Sequence, residues 1–193
     1  MADLTGMYLF LIFGLATPGP NVILITTSAA RFGFYRTVPH ILGVVLGVGI
    51  IGAATGFGLG ILINGNANLQ LIMKVISAAW IAYLSWVLWR STLAKTNASE
   101  QPFTFFQAVF FQWVNPKIWV VTIAAMGFLV GLSPMSAALN LGIAIACLNF
   151  GVCVVWGSIG QALKTWLMKD AVFSIFVRIM SVLLLVSAAF LFL

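Results

Sequence analysis

A chain of 193 residues in which 63% of the side chains are hydrophobic and 6% are charged has too few solvating groups to cover a soluble globule. A bilayer core about 30 Å thick takes roughly 20 apolar residues per helical span, so six spans nearly exhaust the length and leave no room for a soluble domain. A net charge of +6 would suggest nucleic acid in a soluble protein; here membrane topology explains the nine basic residues, and no nucleic-acid partner is expected.

The apolar segments predict an all-α integral membrane protein, a single transmembrane domain with spans at residues 4–30, 38–63, 69–89, 103–130, 137–160 and 172–193. The first could pass for a signal peptide, with Ser28-Ala29-Ala30 as its cleavage site. It begins with Asp3 and no basic residue, and it is too long for the apolar part of a leader, so it is expected to remain as a span. Arg31, Arg36, Arg90, Lys95, Lys164 and Lys169 fall in the first, third and fifth loops, and the second and fourth loops hold no Lys or Arg. The positive-inside bias then puts the odd loops in the cytoplasm and both termini outside. Lys74 and Arg178 lie near enough to span ends to snorkel, and Trp86, Trp89 and Trp166 suit an aromatic belt.

Two spans are interrupted. Thr17-Pro18-Gly19-Pro20-Asn21 sits in the middle of span one, and Asn115-Pro116-Lys117 near the centre of span four. Proline removes a backbone donor and clashes with the preceding turn, so neither helix passes through unchanged. The breaks fall at corresponding places in halves 1–95 and 96–193, and three spans per half force opposite topologies. That is the pattern of two inverted three-helix repeats with broken helices meeting at midplane. The alternative is a pair of kinks that only shape packing.

Backbone groups freed at a break in lipid must be satisfied by protein, water or substrate. Amides at Gly19 and Asn21, opening a half-helix, suit a carboxylate; carbonyls before Pro18 and Pro116 suit an ammonium. Lys117 falls near the bilayer centre, where a cation is costly, and it could hold a carboxylate or exchange a proton. Gln112, Asn149 and Asn21 are intramembrane amides that either face a ligand or are satisfied within the bundle, and Trp113 and Trp119 lie too deep for a belt. His40 reads as an interfacial residue before it reads as a proton relay. Span two repeats glycine at four-residue intervals, Gly43 and Gly47, then Gly52 and Gly56, which suits close helix packing or a backbone-lined pathway.

Asp3, Glu100 and Asp170 are the only acids, and none is expected inside the membrane, which excludes proton coupling through a buried carboxylate. Cys147 and Cys153, six apart on one helix, point about 120° away from each other and suit neither a disulfide nor a metal pair. No phosphate-binding loop, catalytic triad or paired-carboxylate site is present, so an enzyme is not expected, nor is a cofactor or metal.

Thr17 to Asn21, the glycine-rich second span with Gly43 and Gly47, and Asn115 to Lys117 together resemble the lysine exporter and homoserine/threonine exporter (LysE/RhtB) family, over nearly the whole chain. The Phe111-Gln112-Trp113-Val114-Asn115 stretch and residues 149–161 are most similar to its cysteine/O-acetylserine branch. The resemblance implies six spans in the inner membrane of a bacterium and efflux of small amino acids or derivatives, driven by proton antiport; alternating access is expected from one three-span half rocking against the other. It departs from many members at Val48, where they carry an acid, and near Ser181, where they carry glycine. The partners expected are the amino-acid substrate and the lipid bilayer; a homodimer is allowed but not required. Thr17, Pro18, Gly19, Pro20, Asn21, Gln112, Asn115, Pro116, Lys117 and Asn149 are the expected substrate-binding residues. Divalent-metal efflux, known among distant relatives, and a membrane-embedded enzyme are the alternatives; a lone His40 and separated cysteines offer a metal few convergent ligands.

Overall fold

The computed structural model describes residues 2–17, 19–91 and 101–189. Pro18, Lys95, Glu100 and residues 190–193 of the sixth expected span lie outside the described residues. The described chain is helical. Helix α1, Leu4–Ala16, opens on Asp3, whose carboxylate accepts the Gly6 amide at 2.9 Å. Helix α2, Pro20–Phe32, starts with proline at its first position, where no backbone donor is needed, and bends 53° from α1.

Gly33, at φ +95°, turns the chain directly into α3, Phe34–Ala54. This helix starts before the expected span and absorbs Pro39 within its second turn. A five-residue π turn, Thr55–Leu59, carries it into α4, Gly60–Asn64. Helix α5, Ala67–Trp89, is capped by Asn66. Helix α6, Phe105–Trp113, opens with a reciprocal Thr104/Gln107 capping box. Helix α7, Pro116–Ala125, again starts on proline and departs by 62° before ending in a 3-10 turn at Met126–Leu129. Helix α8 is Pro134–Leu163 and α9 is Asp170–Ala189.

Among the described residues, Phe34–Ile63, Ala67–Trp89 and Pro134–Leu163 are each long and apolar enough to cross a bilayer, and so are the two broken pairs when each is taken as one span. Helix α9 forms the described part of the sixth segment.

Small residues set the packing. Helix α3 lies between α6 and α8. A Cβ on Gly47 would stand 2.6 Å from Gln112 Cγ, and one on Gly43 would strike the Phe105 carbonyl of α6. On its other side Gly52, and Gly56 in the π turn that follows, face Ile145 and Ala138 of α8. These glycines therefore serve close helix approach, the packing reading of the span-two repeat.

Two apolar clusters form. One joins α1, α3, α7 and α8 through Met7, Leu11, Ile51, Ile118 and Leu141; the other joins α2, α5 and α9 through Ile23, Ile81, Phe173 and Leu184. Each draws helices from both sequence halves. In the second, Ser85 and Ser181 exchange hydrogen bonds, each hydroxyl donating to the other's carbonyl at 2.9 and 2.8 Å. Large apolar side chains such as Ile143, Phe150, Ile175 and Ile179 stay exposed, as a lipid-facing surface requires. Arg178 lies over the Trp89 ring at 5.5 Å, so its charge is accommodated beside an aromatic group.

Candidate functional site

The two helix breaks meet. Pro20 and Pro116 each occupy the first position of a new helix, so α2 and α7 both begin where the preceding helices stop, with first-turn amides that have no partner inside the helix. Gly19 is extended, at φ −151° and ψ −175°, and a Cβ there would stand 2.8 Å from Lys117 Cδ. Glycine is needed because the Lys117 stem lies across it.

Lys117 reaches from the second break to the first. Its ammonium donates to the Thr17 carbonyl and, at 2.9 Å, to Thr17 Oγ1. The carbonyl freed at one break is thus taken by the cation at the other, a strong charge-assisted bond. Thr17 Oγ1 in turn donates to Gly14 O at 2.9 Å.

One turn deeper, two amides close on each other. Asn21 Nδ2 donates to Gln112 Oε1 at 2.8 Å, and Gln112 Nε2 returns a bond to Asn21 Oδ1 at 3.1 Å. Gln112 also donates to Ala108 O, and Asn115 Nδ2 donates weakly to Gln112 Oε1 at 3.4 Å. All three side chains are buried. Asn115 Oδ1 has no partner, which in a buried group costs about 1–3 kcal/mol unless a ligand or water supplies a donor. The indole of Trp119 donates to Trp113 O at 3.0 Å, so this deep aromatic satisfies a carbonyl beside the second break.

Gly19, Asn21, Asn115, Lys117 and Asn149 line one small cavity of about 10 Å³, room for about one water and too small for an amino acid. In this conformation the compartment leaves no room for an amino acid. Of the expected site residues, Thr17, Gly19, Asn21, Gln112, Asn115, Lys117 and Asn149 converge here, with Pro20 and Pro116 shaping the backbone; Pro18 lies outside the described residues. Gly43, Gly47, Gly52 and Gly56 are not among the residues lining this cavity.

Cys153 was not singled out by sequence. It lines this cavity, and its sulfur accepts from Asn149 Nδ2 at 3.5 Å, whereas Cys147 is exposed. The 3.6-residue period separates the two cysteines onto different faces but says nothing about which face meets the break. His40, near the start of α3, is buried, with its ring against Phe103 at 5.3 Å between centroids. Among the described residues no three His, Cys, Asp or Glu side chains come together.

A family model described as LysE type translocator matches residues 12–193 of the chain. A cysteine/O-acetylserine efflux protein of Salmonella choleraesuis (strain SC-B67) is 29% identical over 171 residues, 87% of this chain and 85% of that protein. One from Escherichia coli O157:H7 is 26% identical over 82% of each chain. One from Klebsiella pneumoniae subsp. pneumoniae is 33% identical over 57% of this chain and 56% of its own length. No solved structure matches.

Proposed function

Because the chain belongs to the LysE type translocator family of membrane transporters, we propose that it exports a small neutral amino acid or derivative of the cysteine/O-acetylserine kind across a bacterial inner membrane. The observation that carries the reading is the small polar compartment between two helix breaks, bridged by Lys117 and by the Asn21–Gln112 pair.

In this conformation the Lys117 ammonium is occupied by Thr17. To take up substrate, Lys117 leaves that carbonyl and pairs with the substrate carboxylate, which also meets the first-turn amides of α2. The substrate ammonium then replaces Lys117 at the Thr17 carbonyl. A zwitterion completes both breaks at once, whereas a lone carboxylate or a lone amine leaves one unpaired. Asn115 Oδ1 and the Asn149 amide remain to read the side chain. Asp3 and Asp170 start helices α1 and α9, and among the described residues no acid lines the compartment, so no described carboxylate there carries a counter-transported proton.

The arrangement supports two inverted three-span halves. Ser85 and Ser181 bond reciprocally 96 residues apart, and Gly49 meets Ala146 where α3 crosses α8 at nearly the same sequence separation. Contacts between corresponding residues of two halves are what an axis between them produces. The apolar clusters cross the halves and α2 contributes to both, through Ile25 and Ile23, so in this reading alternating access rocks α5 and α9 against the other cluster beside α2, with whole halves not moving as blocks. Both termini lie outside, since Arg31 and Arg90 line one cavity and Arg36 and Lys164 a neighbouring one that shares Phe32, gathering basic residues at one end.

Counterflow in proteoliposomes over a panel of amino acids, with and without an imposed pH gradient, tests this. Cysteine and O-acetylserine are expected to exchange, a gradient acid on the trans side to accelerate them, and Lys117→Met to abolish movement while inserting normally. Full exchange by Lys117→Met would refute the site assignment.

A further inference from the structure

Asn115 holds an acceptor that no described residue uses. It is the N-cap residue of α7, where an asparagine ordinarily turns its side-chain oxygen onto a first-turn amide, yet no such cap is made. Its Oδ1 is left without a partner although the residue is 1% exposed. Among the described residues around the small cavity at the helix breaks, it is the one buried side-chain nitrogen or oxygen so left.

A backbone carbonyl two residues of the network away fixes which way this amide faces. The Ala108 carbonyl can only accept, so Gln112 presents Nε2 to it at 2.9 Å. Gln112 Oε1 is then the atom that meets Asn21 Nδ2 at 2.8 Å and Asn115 Nδ2 at 3.4 Å. Exchanging the oxygen and nitrogen of Asn115 would set two acceptors against each other. Oδ1 is therefore the atom left over from the amide cluster, on a residue that lines the cavity.

The neighbouring donors are engaged elsewhere. The Lys117 ammonium is held by Thr17, and Asn149 Nδ2 donates to Cys153 Sγ at 3.5 Å. Pro18, next to Gly19 in the chain, has no amide hydrogen to offer. A buried acceptor of this kind is completed by a donor that arrives from outside the chain.

We propose that Asn115 Oδ1 selects substrates whose side chain carries a hydrogen-bond donor, a thiol or a hydroxyl, over those whose side chain only accepts or is apolar. The proposal rests on the export reading above and narrows it: cysteine and serine are favoured over O-acetylserine, whose ester has no donor. The ammonium and carboxylate are common to every amino acid, so they cannot make this distinction. Asn149 Nδ2 makes only the weak bond to Cys153, and its second hydrogen serves a lone pair of the same thiol or hydroxyl. The side-chain group is thus read as donor by one asparagine and as acceptor by the other.

The test is competition against labelled L-cysteine in proteoliposome counterflow, under reducing conditions, with the full-length protein. L-α-aminobutyrate has a methyl group where cysteine has its thiol, and so differs by the donor at nearly constant size. Half-inhibition is expected at a concentration at least about fivefold lower for cysteine than for α-aminobutyrate or O-acetylserine. Asn115→Leu is expected to bring the three within about twofold of each other. Asn115→Ala repeats the comparison where Asn115→Leu fails to insert, and the ratio in the unmodified protein is decisive where neither inserts. Equal half-inhibition by cysteine and α-aminobutyrate overturns the inference and leaves export standing, with a resident water as the partner of Oδ1. O-acetylserine competing as well as cysteine overturns it too. A ratio that Asn115→Leu leaves unchanged while both half-inhibition values rise together also overturns it, giving Asn115 a purely structural part. No counterflow of any amino acid by the unmodified protein overturns both this inference and the export reading.

Discussion

Truncating the two members of the Asn21–Gln112 pair should have unequal effects, and the inequality follows from what each leaves behind. Asn21→Ala removes two hydrogen bonds, but Gln112 keeps the Ala108 carbonyl as acceptor and the weak donor Asn115. Polar pairs between membrane helices average about 0.6 kcal/mol and reach about 1.7, so a loss of about 1–2 kcal/mol is expected. Gln112→Ala strips Asn21 of both bonds and Asn115 of its described acceptor, in a site where all three are buried. With orphaned buried groups costing about 1–3 kcal/mol each, its loss should be about 3–4 kcal/mol. The double variant should recover about 1–2 kcal/mol relative to the sum, as residues in one network do. Thermal unfolding in detergent gives the ranking, and denaturant titration of the four proteins closes the cycle. If Asn21→Ala costs as much as Gln112→Ala, or the effects simply add, the pair does not join the two breaks as described.

Other perturbations separate folding from transport. Gly19→Ala places a Cβ 2.8 Å from a flexible Lys117 stem, so stability should change by less than about 1 kcal/mol while exchange falls at least about tenfold; unaltered counterflow would remove Lys117 from the mechanism. Gly47→Val would overlap Gln112 Cγ and the Val109 carbonyl, forcing α3 from α6 at about 2–3 kcal/mol, measured as lost monodisperse protein on size exclusion. Ser85→Ala and Ser181→Ala should each cost about 0.5–1 kcal/mol, and the double variant less than their sum, in thermal melts. Thr17→Val removes one of two acceptors from the Lys117 ammonium and should raise the rate of Lys117 acetylation by a water-soluble reagent about threefold; an unchanged rate would mean that the carbonyl alone holds the cation.

Several readings depended on local rules and survived folding for that reason. Proline dictates a break wherever it falls within a helical pattern, so the interruptions at Pro20 and Pro116 were visible without a structure. Glycine repeats every four residues dictate a smooth helix face, and α3 uses that face against α6 and α8. Other residues escaped local rules. His40 follows a loop and a proline, and only the fold shows that its ring is buried against Phe103. Cys153 was read only for its spacing from Cys147, whereas the fold sets it in the cavity beside Gly19 and Asn21.

The sequence by itself determined the membrane class, the helical segments and the two chemical discontinuities, because hydropathy, helix propensity and the missing proline amide act over a few residues. It also placed a cation at one break and vacant carbonyls at the other. Only the tertiary structure decided that this cation and the Thr17 carbonyl satisfy each other, that Asn21 and Gln112 bond to each other, and that two arginines far apart in the chain face one cavity. Those pairings are set by how α3 and α8 cross and by which helices share an apolar cluster. Residues about 90 to 100 positions apart meet through packing, and no short-range pattern encodes the distance between them.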